Sequence, residues 1–277
     1  MTAPRIGRRG FTLAAASTLA ALTASKRAAG RSTQDPAKSV PQDRVVAGAV
    51  ASIDPIQAAV QHKARLATDL ARDETRLPER ILNFFQIKPG QQIADLQAGD
   101  GYYGELMARV TGPSGKVYCT NNSRPQQVFG KALTARLERK DLGAKNIVRV
   151  DRELDDLQIP GPLDRALLVR FYHDLGWMEV DRPAFNKMVF ELLKPGAIFG
   201  VVDHHAKEGA GMSEGSRLHR VEASLVKKEV EAAGFKLEAE SYVLNDPSDA
   251  RDFNIFANNA ARRDRTDRFV YLFRKPE

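Results

Sequence analysis

Cysteine is nearly absent. The 277-residue chain carries Cys119 alone, which excludes an internal disulfide and any cysteine-based metal cluster. Lying in an apolar run, Cys119 reads as a buried filler rather than a nucleophile. No block of Lys and Arg interleaved with aromatics occurs, so the net charge of +7 does not argue for a nucleic-acid partner. Much of the excess sits in the first 31 positions, at Arg5, Arg8, Arg9, Lys26, Arg27 and Arg31. No His-x-x-x-His or Glu-x-x-His spacing is found, so no metal site is expected from spacing. No internal repeat is visible, and no apolar run of the mature chain is long enough to span a membrane. Oligomeric state leaves no mark.

What is present is an ordinary globular composition, 43% hydrophobic and 28% charged, enough to bury a full core. Residues 1–29 combine a basic start, Arg8-Arg9-Gly10-Phe11, with an Ala/Leu/Thr run and small residues at Ala24, Ala28 and Ala29. This is the layout of an export signal, and the paired arginines resemble the twin-arginine type, implying a periplasmic protein. Residues 30–50 read as a polar linker. Residues 51–90 read as a helical extension. Asp54 serves as N-cap before Pro55, one helix runs through Ile56, Val60, Leu66 and Leu70, and a second covers Pro78 to Phe85.

From residue 91 to 277, short apolar strands alternate with helices. The strands are Gln92–Asp95, Lys116–Thr120, Asn146–Val150, Leu163–Phe171 and Ala197–Asp203, then Phe235–Tyr242 and Phe269–Phe273. One long helix is predicted over Gly215–Ala233, with Leu218, Val221, Leu225 and Val226 on its buried side. Such alternation predicts a mainly parallel sheet covered on both faces.

The stretch Ile93-Ala94-Asp95-Leu96-Gln97-Ala98-Gly99-Asp100-Gly101-Tyr102-Tyr103 is strand, glycine-bearing turn and helix start. This layout lets a backbone approach a nucleotide closely. It resembles motif I of class I S-adenosylmethionine (SAM)-dependent methyltransferases, with Gln97 where the motif has its first glycine. Leu193-Lys194-Pro195-Gly196 and Glu231-Ala232-Ala233-Gly234-Phe235 match further signatures of that fold. Gly-Asp-Gly-Tyr-Tyr, Phe-Tyr-His-Asp, Val-Val-Asp-His and the closing Thr-Asp-Arg-Phe are similar to an exported bacterial group of methyltransferase-like proteins. The resemblance implies an α/β, Rossmann-like seven-stranded sheet with a reversed last hairpin and helices on both faces. It implies SAM as cofactor, held by Asp95, Gln97, Gly99 and Gly101, by Asn121 in place of the ribose-binding carboxylate, and by Glu153 or Asp151 near adenine.

Strand four ends in Arg170-Phe171-Tyr172-His173-Asp174 and strand five in Asp203-His204-His205. Both ends open onto the crevice beside motif I. His173, Asp174 and His204, with Tyr103 and with His219 on the following helix, are therefore the candidate catalytic residues. Histidine suits a general base because its pKa lies near ambient pH. Three chemistries use such a set: methyl transfer from SAM to a small molecule, aromatic ones included; divalent-metal binding by His173, Asp174, His204 and His219; or SAM-independent lyase or hydrolase chemistry on an exported aromatic compound. A non-catalytic periplasmic binding protein is the remaining reading. Asp174 as a helix cap, His205 facing solvent, His62 on the surface, Trp177 as a packing contact and Arg262-Arg263-Asp264-Arg265 as a solvated loop are the structural readings.

Overall fold

Short, mostly apolar strands alternating with amphipathic helices fold here into one sheet clothed on both sides. The computed structural model describes residues 54–256 and 265–277. The stretches read as export signal (1–29) and linker (30–50), and Arg262, Arg263 and Asp264, lie outside the described residues. In chain order the elements are α1 (Pro55–Val60), α2 (Ala67–Arg76), α3 (Pro78–Phe84), β1 (Gln92–Leu96), α4 (Tyr102–Thr111), β2 (Lys116–Thr120), α5 (Ser123–Leu137) and β3 (Ile147–Val150). There follow β4 (Leu163–Val169), α6 (Asp174–Trp177), α7 (Arg182–Leu192), β5 (Leu193–His204), α8 (Gly215–Leu218), α9 (Ala223–Ala232), β6 (Lys236–Ser241) and β7 (Arg268–Arg274).

The strand order is β3-β2-β1-β4-β5-β7-β6. The first five strands run parallel, and β7 enters antiparallel between β5 and β6. This is the reversed last hairpin that the resemblance implies. The order turns back at β1 and β4, so the crevice beyond their carboxyl ends is where such sheets bind ligands.

Two cores form, one on each face. Phe185 and Val189 of α7 and Val226 and Val230 of α9 pack on Phe199 and Phe273. Ile56, Ile81, Leu82 and Phe85 pack with Leu106 and Met107 of α4 on the opposite face. The N-terminal helices are thus part of the sheet's second layer. Phe85 presses so closely that a Cβ on Gly200 would stand 2.7 Å from its ring.

Two expected helices are broken. The first stops at Val60, because Arg65 donates to the Val60 carbonyl at 2.7 Å and pairs with Asp73 on α2. Leu70 is consequently half exposed rather than buried. The long helix expected over Gly215–Ala233 is two, α8 and α9. Between them His219 takes a left-handed backbone (φ 54°). Arg220 is drawn into the interior to meet Asp249 at 2.9 Å and the His205 carbonyl at 3.0 Å. Val221 forms a parallel bridge with His205.

Candidate active site

The motif I turn is held by its own side chains. Gln97 has a left-handed backbone (φ 56°), the conformation glycine would take at no steric cost. Its amide N–H donates to Thr120 Oγ1 at 3.0 Å, and its side-chain Oε1 accepts from the Asn122 N–H at 3.1 Å. Asn121 is fully buried, and both of its amide atoms are engaged. Oδ1 accepts from the Gly99 N–H at 2.9 Å and Nδ2 donates to the Gly99 carbonyl at 3.0 Å. Gly101 (φ 82°) opens α4, and a Cβ there would stand 2.9 Å from Leu133. Among the described residues, three buried polar atoms around this turn have no protein partner: Asp95 Oδ2, Gln97 Nε2 and Asn122 Oδ1. Burial, with the Asp100 charge adding to it, pushes the Asp95 carboxyl up to about 7.

Beneath the turn, Arg136 of α5 joins three elements. It donates to Asp69 of α2 at 2.5 Å, to Glu105 of α4 at 2.6 Å and to the Asp100 carbonyl at 2.6 Å. Arg72 of α2 adds a bond to Asp100 at 2.8 Å. Nothing in the local sequence signals this network, whose partners lie up to 67 positions apart.

Glu153 accepts from the Ser123 N–H at 3.1 Å, and Asp151 bonds Arg149 and Gln126. With Arg152, Asp155 and Asp156 they line an open pocket of about 420 Å³. Four carboxylates against one guanidinium make it unsuited to a phosphate.

On the β4–β5 side the imidazoles gather. His173 is 1% exposed. Its backbone N–H and its Nδ1 both face Asp203, at 2.8 and 2.6 Å. Its Nε2 stands 3.2 Å from Asp174 Oδ1 but out of line for a hydrogen bond, and has no other partner. Burial pushes this ring toward neutrality, yet the flanking carboxylates of Asp203 and Asp174 outweigh burial and raise it to about 9. Asp174 Oδ1 also accepts from Trp177 Nε1 at 2.7 Å and faces His219 Nδ1 at 3.0 Å. His173 first, then His219 and Trp177, overcome burial and hold its carboxyl well below the usual range. His219 packs edge-on against His173 at 5.4 Å, Phe256 at 4.8 Å and Trp177 at 6.3 Å. Trp177 therefore does more than pack, since it orients the shared carboxylate. One ligand atom from each of His173, Asp174 and His219 lies within 4.8 Å of the others.

His204 is placed differently. Arg170 donates to its Nε2 at 3.0 Å, so the proton sits on Nδ1, which faces Thr266 Oγ1 at 2.7 Å. Burial, reinforced by Arg170, holds its pKa well below the ordinary value. With both nitrogens engaged in the interior, His204 has none to offer a substrate as it stands, and its ring packs 5.8 Å from that of His173. Tyr103 bonds the Arg76 carbonyl at 3.4 Å, on the side of α2. His205 turns its ring to Phe269 at 5.2 Å, and His62 bonds the Ala64 N–H of its own turn. The two walls of the crevice meet where Arg124, at the start of α5, lies 4.7 Å over the Trp177 ring.

No family model and no curated protein matches the chain. Solved structures match by shape. A SAM-dependent methyltransferase from Aquifex aeolicus superposes with a TM-score of 0.55 at 18% identity, over 74% of this chain and 93% of that one. One from Mesorhizobium loti gives 0.50 at 18% identity, over 72% and 97%. The [4+2]-cyclase SpnF gives 0.51 at 16% identity, over 73% and 80%. The fold is that of the class I SAM-dependent methyltransferases.

Proposed function

We propose that the protein is an enzyme that transfers a methyl group from SAM to a small-molecule acceptor held against His173, Asp174 and His219. One observation carries the reading. Gln97 Nε2, a buried donor, and Asn122 Oδ1, a buried acceptor, lack partners at the turn where this fold seats its cofactor. A ligand with carboxylate, amine and hydroxyl groups satisfies such atoms. Gln97 and Asn122 would hold its polar groups, Gly99 and Gly101 would let it approach, and Asp151 and Glu153 would meet adenine. The phosphate-averse pocket fits a nucleoside better than a dinucleotide. SAM, when bound, supplies an electrophilic methyl. The chain's own task is to orient the acceptor and relieve it of a proton. The His219 imidazole, oriented by Asp174 at 3.0 Å, is the group placed for that work, and Asp203 fixes the ring of His173.

Calorimetry of the folded chain with SAM and S-adenosylhomocysteine tests the cofactor. Saturable binding of both is the expected outcome, and no heat with either overturns the reading. Asp174→Asn is expected to keep that binding while losing about 10²- to 10⁴-fold in methyl transfer to a panel of phenols.

A second reading, SAM-independent acid–base chemistry on this scaffold, is favoured by Asn121. Where the family pattern has a ribose-binding carboxylate, this amide spends both atoms on Gly99. The cyclase among the neighbours has the same fold and a different reaction. Absent SAM binding, with turnover of an aromatic substrate abolished by His219→Ala, would favour it.

A further inference from the structure

We infer that His173, Asp174 and His219 form a binding site for a divalent transition ion of the zinc or iron type. The spacing along the chain argues against one, because the ligands come from a loop, a four-residue helix and the bend after α8. The fold removes that objection by assembling them.

The geometry has four parts. First, donor chemistry: two imidazoles and a carboxylate are a ligand set for zinc, iron and their neighbours. Second, separation: ligand atoms about 2.1 Å from a tetrahedral ion stand roughly 3.4 Å apart. Asp174 Oδ1 is 3.2 Å from His173 Nε2 and 3.0 Å from His219 Nδ1, and the set fits within 4.8 Å. Third, an unspent atom: His173 Nε2 is buried, faces the cluster and has no hydrogen-bond partner. A nitrogen so placed costs free energy unless something occupies the space before it. Fourth, the outer contacts: Asp203 faces His173 Nδ1 at 2.6 Å and holds a proton there, so that an incoming ion displaces the proton of Nε2 and takes that nitrogen as ligand. Trp177 N–H fixes Asp174 Oδ1 at 2.7 Å. A carboxylate behind a ligating imidazole is the common outer arrangement of histidine metal sites.

Three protein ligands leave a coordination position for water or substrate, the pattern of catalytic rather than structural ions. His219 and Asp174 keep 19% and 16% of their side chains accessible, so that position opens outward. An acceptor hydroxyl bound there would lose its proton more readily through the ion than in water. The site itself is independent of whether SAM binds.

The test is metal binding by the tag-free full chain after chelator treatment and dialysis, with Co²⁺ and Zn²⁺ as probes and no SAM present. One Co²⁺ per chain, giving visible ligand-field absorption that Zn²⁺ abolishes, is expected. His219→Ala and Asp174→Asn should each weaken binding by more than the about 10- to 100-fold that loss of an outer partner costs. His62→Ala, remote from the cluster, should bind as the native chain does. Far-UV circular dichroism checks that each variant is folded, and His219→Gln replaces His219→Ala if the latter is not. No saturable Co²⁺ binding, or equal binding in the native chain and a folded His219 or Asp174 variant, overturns the inference.

Discussion

The two walls of the crevice treat their polar atoms in opposite ways. On the β1–β2 wall, Asn121, Gln97 and Thr120 turn inward and bond the loop that bears them. On the β4–β5 wall, His173, Asp174 and His219 converge on one another across three segments, and a buried nitrogen remains unspent. The first wall spends most of its polar atoms on its own loop and keeps Asp95 Oδ2, Gln97 Nε2 and Asn122 Oδ1 without a partner among the described residues. A wall that concentrates imidazole and carboxylate holds its chemistry in reserve.

The largest effect expected from disturbing the first wall comes from Arg136→Ala. Removing that guanidinium takes a buried partner from both Asp69 and Glu105, leaving them to Arg72 and to Arg109 and Arg139, and should cost about 3–5 kcal/mol in urea unfolding. A loss below about 1 kcal/mol would mean that the network is not what stiffens the turn.

Next in size is the pH response of Asp95. Its folded-state pKa of about 7 lies above the 3.8 of an exposed aspartate, so the folded chain holds a proton that the unfolded chain releases. Stability should therefore fall as pH rises from about 4 to about 7 and level off above, by up to on the order of 4 kcal/mol. Asp95→Asn should flatten that limb in denaturant midpoints measured across the range. Parallel curves for variant and native chain would show that burial does not govern this carboxyl.

The smallest effect is the sharpest comparison. Gln97→Gly relieves a left-handed backbone worth roughly 1–2 kcal/mol and removes the cap on Asn122. Thermal stability is expected to change little while SAM affinity falls by calorimetry, because the buried Gln97 Nε2 donor is lost. Unchanged or higher affinity would show that the glutamine makes no contact with the cofactor.

Much of this was legible beforehand. Short apolar runs mark β1, β2, β4 and β7, and Lys194-Pro195-Gly196 and Ala233-Gly234-Phe235 flag the start of β5 and the turn before β6. His173, Asp174 and His219 were visible as residue types beyond strand four and on the element after strand five. What was not legible is who bonds whom. Leu218, Val221 and Leu225 keep a helical spacing straight through the break, because the break is made by Arg220 reaching Asp249, 29 positions on. That distant pair is what turns His219 toward Asp174. His204 looked equivalent to His173 until Arg170 and Thr266 were seen to hold both its nitrogens. A spacing rule for metal ligands fails here for the same reason, since it sees one element at a time.

The triple role of Arg136 bears on how this protein can be dissected. A shortened chain beginning at the sheet would bury a guanidinium deprived of Asp69, and would leave Asp100 without Arg72 on the bend that opens α4. The helices before β1 are foundations rather than porch, and the sheet is not to be had without them.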